Sequence, residues 1–139
     1  MMNEEVRTIM TLNPVVAHPD QTIEDVSNVM MESGYQQLPV VSNNKLVGMI
    51  SAGDLWKAVK IGNYTEKCVR DVMSTKVVKI TPKDKVGTAA ELFADNRFKA
   101  IPVVNLENEL KGVVTAFDVI RSAFKEEYPR PILYKDVFV

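Results

Sequence analysis

Apolar and polar positions alternate in a way that predicts a helix early in the chain. Apolar residues recur at helical spacing at Ile23, Val26, Val29 and Met30. Asp20 or Thr22 can cap the start of this helix, because each offers a side-chain oxygen to the first free backbone N–H groups. Gly34 can end it in the left-handed conformation that glycine adopts without strain. The pattern therefore predicts a helix between about residue 22 and residue 34.

Short apolar runs around this helix predict strands. The predicted strands of the first half are 15–17, 38–41 and 46–50. His18-Pro19 closes the first of them, because a proline disfavours helix for the residue before it. Residues 42–44 (Ser-Asn-Asn) have the composition of a turn. A second helix is predicted from about Gly53 towards residue 59, ending near Gly62.

The second half of the chain repeats the first. Residues 6–10 (Val-Arg-Thr-Ile-Met) return at 69–73 (Val-Arg-Asp-Val-Met), and 38–41 (Leu-Pro-Val-Val) return at 101–104 (Ile-Pro-Val-Val), each displaced by 101 − 38 = 63 positions. Gly48 returns as Gly112, one position further on. Landmarks that recur in constant order indicate an internal duplication. The matching elements of the second half are predicted strands at 77–80, 101–104 and 110–114, and predicted helices at 86–93 and 118–124.

Each unit is therefore predicted to be β-α-β-β-α, in an α+β fold. One half, of about 60 residues, buries little core by itself. We therefore expect the two repeats, 6–62 and 69–124, to pack about a pseudo-two-fold axis as one cooperative domain. Residues 61–68 link them. The tail 125–139 carries two prolines and several apolar or aromatic residues, and it either packs back on the domain or docks on another chain.

Composition narrows the function. Hydrophobic residues make up 46% of the chain and charged residues 25%, which is typical of a globular protein. A net charge of −1 gives no general basic field for nucleic acid. Because no apolar run approaches the roughly 18 residues of a membrane span, no membrane partner is expected. The N-terminus lacks a secretory pattern and Cys68 is the single cysteine, so a reducing, cytoplasmic location is the expectation.

Two segments carry the candidate chemistry. Each has a glycine, two apolar residues, a hydroxyl residue, and an aspartate three positions after the hydroxyl: Ser51 with Asp54, and Thr115 with Asp118. A hydroxyl followed by an acid at this spacing, where a strand gives way to a helix, is a capping box. The same groups suit a ribonucleotide, because a helix start favours phosphate and a carboxylate can accept two ribose hydroxyls. The spacing alone leaves both interpretations open.

The whole pattern resembles a pair of CBS domains, the unit called a Bateman module. The resemblance rests on the Val-Arg-x-Ile/Val-Met openings, the Leu/Ile-Pro-Val-Val strands and the Gly-h-h-Ser/Thr-x-x-Asp segments, where h is apolar. It covers roughly residues 6–124. It implies two clefts between the repeats and, as in many members of this family, an adenine nucleotide (AMP, ADP or ATP) or another adenosyl ligand bound there.

The resemblance also implies site residues. One cleft would use Thr11, Val15, Tyr35, Gln36, Gln37, Thr115, Phe117 and Asp118. Its partner would use Ser51, Asp54, Ser74, Val78, Phe98, Lys99 and Ala100. In each cleft the aspartate would hold ribose, the hydroxyl residue would contact phosphate or ribose, and the residues before the Pro-Val-Val strand would approach the base.

Differences between the copies predict unequal clefts. Lys99 stands where the first copy has Gln36, and Arg97 where it has Gly34. Lys99 either reaches a phosphate as a point charge or is solvated with a buried stem. Tyr35 and Phe98 either stack on a purine or fill core. A Tyr35 side chain turned into its cleft would block binding there.

No nucleophile with a base, and no phosphate-cradling loop, is recognisable, so we expect a regulatory module without turnover and without a required cofactor. His18 has no Cys or second His nearby, so no metal site is expected. Such modules usually form homodimers, and Met30, Met31, Leu55 and Trp56 are candidates for that surface. The output would then lie in an effector partner or in the chain's own assembly. The alternative is a protein–protein interaction module whose clefts stay unoccupied.

Overall fold

A computed structural model describes residues 2–127, so most of the predicted tail lies outside the described residues. The helices are α1 (Ile23–Ser33), α2 (Ala52–Ile61), α3 (Val69–Val72), α4 (Val86–Phe93) and α5 (Ala116–Glu127). The strands are β1 (Gln37–Ser42), β2 (Lys45–Ser51), β3 (Ala100–Val104) and β4 (Leu110–Thr115). Short 3-10 turns lie at Val6–Thr8 and Tyr64–Glu66. Within this part of the chain, no helix combines the length and the apolar character that a membrane crossing requires.

The ends of α1 follow the sequence prediction. The Thr22 hydroxyl accepts the Asp25 N–H at 3.0 Å, and the Asp25 carboxylate accepts the Thr22 N–H at 3.4 Å. Thr22 is therefore the N-cap, whereas the Asp20 carboxylate pairs with Arg70. Gly34 ends the helix with φ +79°, in the left-handed conformation. Local capping chemistry thus sets both ends of α1.

Two antiparallel hairpins give the fold its α+β character. Strand β1 pairs with β2, and β3 pairs with β4, with Gln37 opposite Ser51 and Ala100 opposite Thr115. Asn43 and Asn44 turn the first hairpin with φ of 51° and 64°, which asparagine tolerates better than most residues. Both predicted hairpins are confirmed.

The predicted opening strands 15–17 and 77–80 were wrong as strands. Each segment makes a single parallel bridge, Ala17 to Val40 and Ile80 to Val103. The next donor in each segment is taken by a side chain: the His18 N–H by Gln21 Oε1 at 2.8 Å, and its counterpart, the Thr81 N–H, by Asp84 Oδ2 at 2.7 Å. A proline, which lacks an N–H, then follows in both copies. Each repeat therefore keeps only the hairpin as regular sheet.

The repeats exchange their opening segments. Val69 is fully buried in the core of the first repeat, and Val6 is fully buried in the core of the second. Backbone bonds fix both: the Val69 N–H donates to Gln21 O at 2.9 Å, and the Val6 N–H donates to Asp84 O at 2.7 Å. The boundaries 6–62 and 69–124 stay predictions about the sequence units, because core packing crosses them.

The opening segment of each repeat also bonds to the hairpin of the other repeat. The N–H of Thr11 donates to Val113 O at 2.8 Å, and the N–H of Val113 donates back at 3.1 Å. Met49 and Ser74 exchange an equivalent pair of bonds, both at 2.9 Å. Each hairpin therefore receives one residue from the opening of the other repeat, and the repeats form one pseudo-symmetric unit.

Candidate functional site

Both Ser/Thr-x-x-Asp segments form helix caps. Ser51 Oγ accepts the Asp54 N–H at 3.1 Å, and Asp54 Oδ2 accepts the Ser51 N–H at 2.9 Å. Thr115 and Asp118 repeat this box at 3.3 and 2.9 Å. A carboxylate can accept about four hydrogen bonds, so a cap leaves capacity for a ligand. The capping bonds and a ligand contact are therefore compatible at both aspartates.

Asp54 borders a cleft of about 290 Å³ built from both repeats. From the residues predicted for this cleft it brings together Ser51, Asp54, Ser74, Val78, Phe98 and Ala100. Gln37 lines it too, so the assignment of Gln37 to the cleft of Asp118 was wrong. Lys99 is not in its lining; that side chain is exposed, while its backbone N–H bonds to Gln37. We name this space the Asp54 cleft.

Sequence reasoning missed further residues that line the Asp54 cleft: Met49, Ile50, Lys76, Val77, Arg97 and Pro102. Lys76 and Arg97 matter most, because they add positive charge to a lining that also contains Asp54. Lys76 stands where the first copy has Asn13, and Arg97 where it has Gly34. Arg97 was already recognisable in the sequence as a gained charge, although not as a lining residue, and extending the comparison of the copies to residue 76 would have found Lys76.

Arg97 is held at the rim by two neighbours. Its Nη2 donates to Asp95 Oδ2 at 2.7 Å, and its guanidinium carbon lies 5.7 Å from the centre of the Phe98 ring. Hydrogen bonds from Arg97 lower the pKa of the Asp95 carboxyl and raise the pKa of Arg97 itself. The Arg97 side chain stays 81% exposed, so it can still meet an anion. Phe98 both lines the cleft and packs against the second core.

Gln37 joins the two walls of the Asp54 cleft. Its Oε1 accepts the N–H groups of Lys99 at 2.8 Å and Ala100 at 3.3 Å, and its Nε2 donates to Arg97 O at 2.8 Å. One side chain of the first repeat thus fixes the backbone that carries Arg97 and Phe98.

Asp118 lies in a different environment. It is 5% exposed, and Thr11 Oγ1 lies 3.3 Å from its Oδ2 while Arg121 Nη1 lies 3.4 Å from its Oδ1. Asp118 borders a cleft of about 410 Å³ lined by Glu4, Thr8, Ile9, Asp118, Arg121, Ser122 and Lys125. Asp118 is the one predicted site residue in that lining. Its carboxylate is therefore already engaged by the protein.

The other predicted residues of the Asp118 side are dispersed. Tyr35 and Val15 pack against the first core. Gln36 is exposed and its carbonyl accepts the Ala52 N–H at 2.9 Å, while Phe117 is 74% exposed. Their ligand contacts stay predictions. Within residues 2–127, no group of three or more His, Cys, Asp or Glu side chains is arranged to hold a metal ion.

The chain is similar in sequence to several known proteins. The chain is 31% identical over 133 residues to an uncharacterized protein of Methanocaldococcus jannaschii, covering 94% of this chain and 48% of that one. It is 36% identical to an inosine-5′-monophosphate dehydrogenase of the same organism, of which it covers 22%. The chain thus spans about half or less of the curated relatives that it matches first.

Solved structures share the whole fold. One is the CBS-pair protein CBSX2 from Arabidopsis thaliana in complex with AMP, at 27% identity and a TM-score of 0.80, covering 88% of this chain and 98% of that one. Another is the CBS domain pair of protein MJ0100 in complex with 5′-methylthioadenosine and S-adenosyl-L-methionine, at 25% identity and a TM-score of 0.74, covering 86% and 99%.

The family model for the CBS domain matches twice, at residues 6–59 and 69–125. These matches coincide with the duplication, and each contains one hairpin and one Ser/Thr-x-x-Asp cap. The chain therefore belongs to the CBS-domain family and is a tandem CBS-domain pair.

Proposed function

We propose that this chain is a regulatory module that binds an adenine nucleotide in the Asp54 cleft and relays its occupancy to a partner or to its own assembly. The observation that carries the proposal is the composition of that cleft. One wall offers a capping carboxylate, the opposite wall offers Phe98 and Val78, and Lys76 and Arg97 lie in the same lining. A carboxylate suits ribose, an apolar or aromatic wall suits a purine, and basic side chains suit phosphate.

The basic side chains favour a nucleotide over a cationic sulfonium ligand. Two cations, Lys76 and Arg97, line the cleft with one carboxylate, Asp54, although Asp95 offsets part of the Arg97 charge. The relatives in complex with AMP and with S-adenosyl-L-methionine mark the two classes to be compared. Charge complementarity supports AMP, ADP or ATP for this chain.

The relay follows from where the ligand would sit. A nucleotide in the Asp54 cleft would touch Ser51 and Asp54 of the first repeat and Phe98 of the second. A ligand that contacts both repeats stabilises the packing that lets it do so, and thereby shifts the population of packings. A partner that binds one packing better would detect the nucleotide.

Asp54→Ala is the test of the proposal. Calorimetric titration of the wild-type chain should show binding of AMP, ADP or ATP, weaker binding of adenosine, and weaker binding of S-adenosylmethionine. Asp54→Ala should raise the dissociation constant of the nucleotide by about tenfold to hundredfold, because charge-assisted bonds to ribose are lost. Loss of the bond from the Ser51 N–H to the Asp54 carboxylate should lower the free energy of unfolding by up to about 1 kcal/mol, while Ser51 still caps the helix.

The matched control is Asp25→Ala, which removes the carboxylate of the Thr22 capping box and lies outside the lining of the cleft. It should cost similar stability and leave the affinity unchanged. No heat with any ligand, from folded wild-type protein, would contradict the proposal. That result would favour the alternative, an interaction module with unoccupied clefts.

We also propose that the chain forms a homodimer through the exposed apolar side chains of α1 and α2. Met31 and Trp56 are 73% and 65% exposed. The sequence prediction was wrong for Met30 and Leu55, which are each 7% exposed and lie in the first core, because the helical period turns them inward.

Trp56→Glu should convert the dimer to a folded monomer, because it places a charge in an apolar interface. Sedimentation velocity would measure the change. Leu106→Glu is the control, since Leu106 is 96% exposed in the turn between β3 and β4 and should tolerate the same substitution. A wild-type chain that sediments as a monomer would contradict the dimer.

A further inference from the structure

Gln37 makes hydrogen bonds between the repeats that have no equivalent in the second repeat. Its counterpart in the second repeat is Ala100, at 100 − 37 = 63 positions further on. The exchanged openings and the reciprocal bridges recur in both repeats, whereas the Gln37 bonds run in one direction. An alanine side chain has neither a donor nor an acceptor to return them.

The Gln37 bonds hold the backbone at three points. They end on Arg97 O, Lys99 N and Ala100 N, at 2.8, 2.8 and 3.3 Å. This short segment leads from α4 into β3 and places Arg97 and Phe98 in the lining of the Asp54 cleft. The equivalent segment before β1 carries Tyr35 and would depend on the methyl group of Ala100.

The two aspartates differ in how far the protein covers their carboxylates. Thr11 Oγ1 lies against Asp118, but its counterpart Ser74 directs its hydroxyl to Lys76 O at 3.4 Å. Asp118 is 5% exposed, whereas Asp54 is only partly buried. The Asp54 cleft thus combines an accessible carboxylate with an opposite wall that Gln37 holds by hydrogen bonds. On the Asp118 side the carboxylate is covered, and Ala100 makes no such bonds to the opposite wall.

We propose that Gln37 is a positioning residue that holds residues 97–100 in the shape that binds nucleotide and so makes the Asp54 cleft the tighter of the two sites. The inference rests on the proposed function, since it concerns affinity at the same cleft. Its physical basis is preorganisation: a wall that is fixed when the protein folds does not have to be ordered when the ligand binds.

Gln37→Ala tests this role. Calorimetry with AMP should give a dissociation constant about tenfold higher, at unchanged stoichiometry, because the hydrogen bonds of one side chain are lost. In the absence of nucleotide, hydrogen exchange of the Lys99 and Ala100 amides should become faster. Gln21→Ala is the matched control: it removes a glutamine that bonds the backbone N–H of His18, outside the cleft lining, and should change neither reading.

Gln37→Met and Asp25→Ala separate positioning from stability. Gln37→Met keeps a side chain of similar length but cannot make the three bonds to residues 97–100, so it should weaken AMP binding about tenfold, as Gln37→Ala does. Asp25→Ala loses stability at a position outside the cleft lining and should bind AMP with wild-type affinity. Wild-type affinity in Gln37→Met would overturn the positioning role of the Gln37 hydrogen bonds.

The failures are distinguishable. A wild-type chain that binds no nucleotide refutes the proposed function, and the affinity role of Gln37 with it. A wild-type chain that binds, beside a Gln37→Ala chain that binds equally well while its Lys99 amide exchanges faster, refutes only the role of Gln37. An unchanged exchange rate of the Lys99 amide in Gln37→Ala would show that the Gln37 side chain does not hold residues 97–100.

Discussion

Gly48→Ala is expected to lower the free energy of unfolding by about 2–3 kcal/mol. A Cβ at this position would lie 2.8 Å from Ser74 O and 2.8 Å from Met73 Sδ. The sulfur ends a flexible side chain and can move, but Ser74 O is backbone that accepts the Met49 N–H in the bridge between the repeats. The chain must give up either that bridge or its packing.

Gly53→Ala is the matched control for this prediction. A Cβ there would lie 3.6 Å from Ser51 Oγ, an ordinary contact, and the residue is inside α2. Alanine in a helix should therefore be neutral or slightly stabilising, by up to about 1 kcal/mol. Urea unfolding followed by circular dichroism measures both variants. Equal stability of Gly48→Ala and the wild type would show that residues 73–74 do not need the close approach.

The second large effect concerns where the chain can be divided. A polypeptide of residues 13–76 is expected to form a more stable unit than a polypeptide of residues 1–64, although the two are equal in length. The first contains every buried residue of the first core: Ala17, Ile23, Val26, Met30, Leu38, Val40, Ile50, Leu55 and Val69. The second follows the sequence repeat and ends before Val69.

The loss in the 1–64 polypeptide is large for a unit of this size. Burial of Val69 is worth about 1.5–3 kcal/mol. The bonds from the Val69 N–H to Gln21 O, from the Arg70 N–H to Pro19 O, and between Met49 and Ser74 are lost as well. A unit of some 60 residues has only a few kcal/mol to spare.

Helical circular dichroism with a cooperative thermal transition is therefore expected for 13–76 and not for 1–64. The pair controls for length, because the two polypeptides differ only in which opening segment they carry. A cooperative transition of equal midpoint in both would show that the first core does not need the segment from the second repeat.

Much of the local structure could be predicted from the sequence because short-range interactions set it. Thr22 and Gly34 delimit α1 through bonds within one turn, and Asn43 and Asn44 close the first hairpin with their own backbone angles. The prediction of an opening strand at 15–17 was wrong for a local reason too. The Gln21 side chain accepts the His18 N–H, which a longer strand would need for its pairing.

The site could be predicted only in part. Asp54 and Phe98 were predicted to share one cleft, and both line the Asp54 cleft. The sequence left open whether Lys99 reaches a phosphate or is solvated. Its side chain is exposed and lies outside the lining, whereas Lys76 and Arg97 line the cleft. Side-chain direction at a segment end depends on what holds its backbone, here the bonds from Gln37, which lies 60 residues from Arg97 in the sequence.

The sequence by itself determined the hairpins, the caps and the position of both aspartates, because each depends on residues a few positions apart. The duplication could be read directly from the motifs that recur after 63 positions. Only the tertiary structure decided that Val6 and Val69 exchange cores, that Gly48 must lack a side chain to let residues 73–74 approach, and that Asp118 is covered while Asp54 stays accessible. These features depend on contacts between residues far apart in the chain. In a duplicated sequence an opening segment fits either core equally well by its pattern, and the packing of the whole domain selects between them.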